Sequence, residues 1–515
     1  MKTYVLKLAL LFFGLSLIFS CEPGIVIPSN TPLDFAYTLH VDSTFNTNAP
    51  ALQSFAHGTH KGDWLLFAGR TNSKDSLGGL HDLDKSYTTS ASFPKQSFNE
   101  NIFVYNVKND QSYSISYDKL LKVVEKNFSE YDSILKENRS VFVNTNSQVA
   151  QLGEFMYLVG GYGPPDANST SKYTTYNQIA KIHVPSLINL VKGNGTAVDK
   201  NKLFAFGKHK NLVATGGELQ IVGNAEDPNF YLVGGHNFGY SCVENCDAFY
   251  QKYQDAVYNF DIKEGKGNEL KISLSQVISD VSCPECLAAD NISVMRRRDG
   301  PILPQLFKNP SGSTIEQGFV FFAGVFTPTD GAWNDAVYIH PGFLNAESKL
   351  YTIDSAYNQK NYNVYSCPNF ALYDPKGETV HSFLMGGIGD GKRNVDSIGF
   401  TNTATHIKTN ITNMKSTRTL INPDHLFNVS NKNKPIFYGA EAIFFGDDAL
   451  DKAYVKKDTV EIETEIFDMS KFGNGDVFVG YIYGGIEAYE SNPRTYGNKK
   501  SMASKKIFKV TLKKK

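Results

Sequence analysis

Tryptophan is nearly missing from this chain, with 2 residues in 515. That excludes a repeat built on a tryptophan signature. Net charge is also missing: 51 Lys and Arg stand against 52 Asp and Glu, for a formal −1. No bulk field therefore draws the chain onto nucleic acid or an anionic surface. Long apolar runs are absent past the N-terminus, so nothing later approaches the ~20 residues of a membrane span. No phosphate loop or dinucleotide fingerprint occurs. A Ser-x-Asp-x-Gly-x-Thr-Trp box is absent, which argues against a sialidase, and so is a convincing Tyr/Cys/His copper set. No metal or cofactor is assigned.

The sequence is rich in aromatics, at 13% with 28 Tyr and 36 Phe, and in glycine, at 42 residues. Aromatic side chains suit the pleated, half-buried surface of strands. One phrase recurs: an apolar run closed by a Gly pair, as in Phe155 to Gly163. It returns at Trp64 to Arg70, Phe230 to Gly239, Phe319 to Phe326, Ser382 to Gly391 and Phe478 to Ala488, twice with Ala in place of the first Gly. A strand-like stretch precedes each copy: Ala51 to His57, Ser147 to Gly153, Val213 to Val222, Pro301 to Phe307, Asn369 to Asp374 and Ala440 to Phe445. An alternating strand follows most copies: Asn101 to Val107, Gln178 to Val184, Asp255 to Asp261, Asp335 to His340 and Lys506 to Leu512. After the fifth copy the match is poorer, and Ile398 to Thr401 is the best assignment.

An apolar run of four or five is a strand buried on both faces. Gly at its end permits a positive φ or a close backbone approach. Four-stranded units that cannot bury their faces alone stack radially and close a ring. The reading is all-β: a six-bladed propeller, with room for a seventh blade between Phe400 and Ser430. The final blade lacks an outer strand, and Phe35 to Val41 is expected to supply it. Short helical inserts are expected at Tyr117 to Lys136 and Leu187 to Val191.

The N-terminus carries Lys2 and Lys7, then an apolar stretch from Val5 to Phe19, then Ser20-Cys21. This reads as a cleaved signal over residues 1–20. Cys21 after a small residue resembles a bacterial lipobox, which implies lipidation there. Residues 21–33, with Pro23, Pro28 and Pro32, form a tether, and 34–515 the propeller. The expected address is an outer-membrane lipoprotein, periplasmic or surface-facing. The protein would be a monomer, joined to the membrane by its anchor and binding no nucleic acid.

The Gly-pair phrase with its following Tyr-containing strand resembles the kelch repeat. Spacings of about 65 to 100 residues exceed the roughly 50 of a compact kelch unit, the excess lying in loops. More narrowly, the chain resembles kelch-type lipoproteins and secreted proteins of Bacteroidetes. The residues that carry this are Trp64 to Arg70 with His81, Arg297-Arg298-Asp299, Phe322 to Phe326, Gly439 to Ala442, Gly480 to Ile486 and Ser501 to Lys514. The resemblance implies a kelch-like propeller and an envelope address, and no activity. A His-rich stretch usual beside Cys367 is replaced by Tyr362-Asn363-Val364-Tyr365-Ser366.

Several groups could carry chemistry. Arg296, Arg297 and Arg298 could grip an anion or acidic sugar through their guanidinium forks, or could be neutralised by Asp299 in a loop. Arg70 and Tyr365 are further binding candidates, and Glu441 and His81 could move protons. His57 and His60 read as structural or solvated rather than as a chelate, and Glu487 and Asp390 are weaker carboxylate candidates. Cys242, Cys246, Cys283 and Cys286 are expected to form two disulfides in an exported protein, with pairing open and Cys367 left free and buried. Tyr162, Tyr173, Tyr176, Phe238, Tyr240, Tyr489 and Tyr496 suit either ligand stacking or blade packing. Two functions follow: a binding module for a glycan or protein partner, or an enzyme on an acidic sugar, of epimerase or lyase type, at the channel mouth.

Overall fold

The computed structural model describes residues 33–515 apart from 45–47, 73–92, 94, 166–171, 241–249, 282–291, 313, 329–330, 390–398, 422–425, 432–433, 458–459 and 492–500. His81, Cys21 and the Cys242, Cys246, Cys283 and Cys286 set lie outside the described residues, as do Asp390 and Tyr496.

Six antiparallel four-stranded blades form a β-propeller. Blade 1 runs Ala56–His60, Asp63–Phe67, Asn101–Asn106 and Gln111–Ser116. Blade 2 runs Gln148–Leu152, Phe155–Val159, Gln178–His183 and Phe204–Lys208. Blade 3 runs Thr215–Gly223, Pro228–Gly239, Val257–Glu264 and Leu270–Ile278. Blade 4 runs Ile302–Lys308, Ile315–Phe321, Ala336–Ile339 and Tyr351–Asp354. Blade 5 runs Asn369–Asp374, Thr379–Met385, Ala404–Asn410 and Ser416–Ile421. Blade 6 runs Ile443–Gly446, Val477–Tyr483 and Ile507–Lys514, and its outer strand is Tyr37–Ser43 from the N-terminus.

That N-terminal strand pairs antiparallel with the C-terminal one, Tyr37 opposite Lys514 and Ser43 opposite Phe508. First and last segments are thereby locked, as the sequence suggests. The seam between blades 6 and 1 is also aromatic: Trp64 of blade 1 stacks on Phe445 of blade 6 at 4.1 Å and meets Tyr483. Such pairs contribute about 0.5–1.5 kcal/mol beyond the area they bury.

Two expectations need correction. Residues 400–430 hold no seventh blade; Ala404–Asn410 and Ser416–Ile421 complete blade 5. The third strand of blade 5 is thus Ala404–Asn410, and Gly399–Phe400 instead pairs with Ile388–Gly389 in a small ribbon. The alternation that marks half-buried strands is absent there, because Ala404, Thr405, His406 and Ile407 are all buried. A hairpin unforeseen in the sequence, Lys452–Lys457 with Val460–Asp468, leaves blade 6 and pairs parallel with the first strand of blade 5. It packs on Leu306, Ala371 and Tyr373.

The Gly pairs tie blade to blade. In the second copy Gly160 and Gly161 have φ of 68° and 98°, and the Gly161 N–H donates to Ala214 O of blade 3 at 2.9 Å. A Cβ on Gly160 would overlap that same carbonyl, so glycine is required there. The same bond recurs from Gly69 to Asn144, Gly235 to Arg297, Gly387 to Tyr438 and Gly485 to Leu52. Besides the Ile388–Gly389 ribbon, the chain past four more copies rises into a two-stranded ribbon: Tyr162–Gly163 with Thr174–Thr175, the end of Pro228–Gly239 with Tyr250–Tyr253, Gly324–Val325 with Ala332–Trp333, and Ile486–Ala488 with Ser501–Ala503.

The helical insert after blade 1 also forms. Ser116 caps Tyr117–Asn127 by accepting from Lys119 N–H, and Tyr117, Leu120 and Val124 are buried, at the spacing of one helix face.

Candidate functional site at the channel mouth

First strands of successive blades neighbour one another around the axis. One residue at or just before the start of each converges on one ring: Ser54, Asn146, Gly216, Asp299, Ser366 and Glu441. The backbone links them blade by blade. Asn146 N–H donates to Ser54 O at 3.0 Å, Gly216 to Asn146 O at 3.4 Å, and Asp299 to Gly216 O at 2.7 Å. Ser366 donates to Asp299 O at 2.6 Å and Glu441 to Ser366 O at 3.3 Å. Ser54 Oγ closes the circle, donating to Glu441 Oε2 at 2.9 Å.

The ring is strained. Ser54, Asn146, Asp299 and Glu441 have φ of 48°, 59°, 47° and 58°. Each non-glycine residue held there costs on the order of 1–2 kcal/mol, and such strain clusters at ligand sites. Gly216, at φ 68°, is the one glycine. It leaves room for Asp299, whose Oδ1 occupies the space a Cβ would need. Asn146 Nδ2 donates to that oxygen at 3.3 Å.

Below the ring the channel forms a pocket lined also by His57, Ser147, Val149, Glu218 and Ile443. Three carboxyl groups share it. Burial first, then Glu441 and Asp299, push Glu218 up to about 8. Burial and then Asp299 push Glu441 up to about 7, against the pull of Ser54, Tyr365 and Arg298. Asp299 is raised as well, because burial outweighs the Arg298 guanidinium 3.6 Å away. Burial lowers His57 to about 4, so its imidazole is neutral. The Tyr365 hydroxyl interacts with both Asp299 and Glu441. Burial and these acids hold it well above the usual tyrosine range.

The three arginines part company. Arg297 is fully buried; it bonds Val294 O, Ala323 O and Asp335 O, pairs with Asp335 Oδ1 at 2.8 Å, and lies over Trp333. It is a strut between loops, and its assignment as a binding residue is corrected. Arg296 lies 3.9 Å over the Tyr253 ring and donates to Phe326 O. Arg298 reaches Asp299, and its Nη1 donates to His236 Nε2 at 3.0 Å. Gln251 Nε2 lies 3.1 Å from His236 Nδ1 on the other side of the ring. Only Arg298 therefore touches the ring.

Arg70 is 4% exposed, bonded to Ser97 Oγ and stacked on Phe93, so it too is structural. Tyr365 and Glu441 do meet at the site. Tyr162, Tyr173 and Tyr176 are buried, which decides for packing in their case. His57 and His60 lie three apart on one strand and so face opposite sides. Glu487 sits on a ribbon with Tyr489 and Ser504, apart from the pocket lining. Cys367 is buried, which pushes its thiol up to about 12.

Sequence reasoning missed Glu218, Asn146 and Ser54 as site residues and read Asp299 as a mere neutraliser. A signal was present. Five of the six ring residues lie two or three positions before a first strand, so aligning Gln53-Ser54, Thr145-Asn146, Arg298-Asp299 and Ala440-Glu441 would have exposed the polar position.

No family model and no curated protein matches the chain. It is similar to the solved structure of YjhT across 91% of this chain and 100% of that one, at 9% identity and a TM-score of 0.40. At that score and identity the likeness carries no argument about function. Its own strand order makes this chain a six-bladed β-propeller.

Proposed function

We propose that this protein is a lipid-anchored module of the bacterial cell envelope whose channel mouth takes a glycan or a segment of a protein partner. One observation carries the reading: six blades each contribute one residue to a strained ring above one pocket. Strain on non-glycine residues persists only where the surroundings over-determine it, and polar groups so held are pre-organised for a ligand. The ribbons beyond the Gly pairs rise on the same face and wall the mouth. Cys21 supplies the anchor and residues 21–33 the tether.

A glycan array probed with the full chain in detergent tests the binding. Binding to one glycan class that Asp299→Asn abolishes supports the glycan arm. A blank array moves the proposal to a protein partner. Membrane fractionation tests the address: Cys21→Ser is expected to release the chain into the soluble fraction.

A second reading has its own support. Glu441 at about 7 and Glu218 at about 8 share a pocket, in the range where general acid–base groups work best. They suit proton transfer on a bound sugar. The acidic-sugar grip is weaker, since Arg296 and Arg297 are committed elsewhere and Arg298 is shared by Asp299 and His236. Turnover of a bound sugar that Glu441→Gln stops while binding survives is the expected result for an enzyme.

A further inference from the structure

The lining of the mouth selects by charge. None of its fourteen residues is Lys or Arg. Asp299 already carries Arg298 as its counter-ion, 3.6 Å away. Glu218 and Glu441 have no such partner in the lining; Ser54 gives Glu441 a hydrogen bond, not a charge. An anion entering here would meet two carboxyl groups and a neutral histidine.

A second, independent observation points to a ligand with hydrogen-bonding groups. His57 Nδ1 and Ser147 Oγ line the same pocket, are buried from water, and have no hydrogen-bond partner among the described residues. Leaving a buried polar atom unsatisfied costs roughly 1–3 kcal/mol, a cost that a bound group with donors and acceptors would remove. A bare metal ion is not the occupant these donors suit. Among the described residues no three His, Cys, Asp or Glu side chains are grouped to hold one. The carboxyl groups are instead spread around the pocket wall.

We propose that the mouth pocket takes a small polar ligand through its ammonium group, with Glu218 and Glu441 as counter-ions and His57 and Ser147 bonding its polar body. This inference rests on the channel mouth being a binding site. The shared chemistry is a primary ammonium beside hydroxyl or further amine groups, as on an amino sugar or a diamine.

The acids facing each counter-ion set a pH dependence. Glu218 faces Glu441 and Asp299; Glu441 faces Asp299, Ser54, Tyr365 and Arg298. Both acids are partly protonated near neutrality, and an ammonium ion must displace those protons. Affinity therefore rises as pH climbs through about 7 and about 8, and falls again when the ligand amine loses its own proton.

Calorimetric titration of the full chain with glucosamine, glucose, glucuronate and putrescine tests this. Glucosamine is expected to bind at least roughly tenfold tighter than glucose, as a charge-assisted bond implies, and glucuronate weakest of all. Glucosamine ahead of putrescine identifies an amino sugar; the reverse order identifies a plain amine. Glu218→Gln keeps the shape of the side chain and relieves a buried acid, so it should fold. It is expected to weaken both amines and flatten the pH profile. Equal binding of all three sugars, or a preference for glucuronate, overturns the ammonium assignment and leaves the mouth a binding site. No heat with any probe also overturns it, whereas the binding reading falls only if the glycan array and a search for a protein partner are blank too.

Discussion

Glu218 is a carboxyl group set against two others in the mouth pocket. Its carboxyl sits near about 8 because burial, Glu441 and Asp299 all favour the neutral form. The folded chain thus keeps a proton that the unfolded chain gives up near its ordinary value. Stability from this group is present at low pH and is lost as pH rises through the window up to about 8. Glu218→Gln is expected to raise the melting temperature at about pH 9 and to change little at about pH 5. Equal shifts at both values in thermal denaturation would refute the assignment. Arg297 makes the opposite point about charge. It is buried among four bonds with Asp335 partly exposed, so Arg297→Ala strands carbonyls and a carboxylate. A loss of about 3 kcal/mol follows from breaking such a pair, read from the urea midpoint, with ligand binding per folded molecule unchanged. Neither role was legible in the sequence. Arg296, Arg297 and Arg298 are identical in type, and only the backbone path decides that the middle one points inward.

At the scale of the element, the Gly pair shows how a turn becomes a joint. Gly153 and Gly160 belong to one blade and both have positive φ, at 59° and 68°. Gly153 has open space around its Cβ position, whereas Gly160 faces the Ala214 carbonyl of the next blade. Gly153→Ala is therefore expected to cost about 1 kcal/mol, the left-handed penalty alone. Gly160→Ala should cost at least about 2 kcal/mol more, because a blade must shift to admit a Cβ. Equal costs in chemical denaturation would mean that the pair is an ordinary turn. The sequence showed where the pairs are, since an apolar run ending in Gly-Gly is a local pattern. It did not show the bonds they make, which join residues some fifty or more apart. The hairpin Lys452–Lys457 with Val460–Asp468 was hidden for a similar reason. Its partner is the first strand of the preceding blade, met at Leu372 and Tyr373, at the end of the channel away from the mouth.

For the whole molecule, closure and acid sensitivity meet at one place. Phe35, just before the closing strand, lies 4.8 Å from both His381 and His406, and His381 Nδ1 is 2.8 Å from His406 Nε2. Burial lowers His381 to about 4 and His406 well below its ordinary value. Histidines lowered in this way are neutral when folded and charge more readily when unfolded. Their contribution is intact above about 6.5 and is lost as pH falls toward about 4. His406→Gln is expected to move the acid unfolding midpoint to lower pH; an unmoved midpoint would place the acid trigger elsewhere. The closing strand itself is expected to be indispensable. His40→Pro, opposite Thr511, removes a ladder donor and should lower the melting temperature sharply and broaden the transition.

The sequence by itself determined most of the blade strands, the six-fold repetition and the closure of the last blade by the first segment. Those are properties of local pattern: apolar runs, alternation and glycine at fixed places. It also named Glu441, Tyr365 and Arg298, three members of the mouth. Tertiary structure alone decided that Ser54, Asn146, Gly216, Asp299, Ser366 and Glu441 form one ring, because each comes from a different blade and they meet only around the axis. It decided that Glu218 joins them and that Arg297 does not. Whether a charged side chain binds a ligand or braces a loop depends on which surface closes over it, and that is fixed only when six blades pack into a ring.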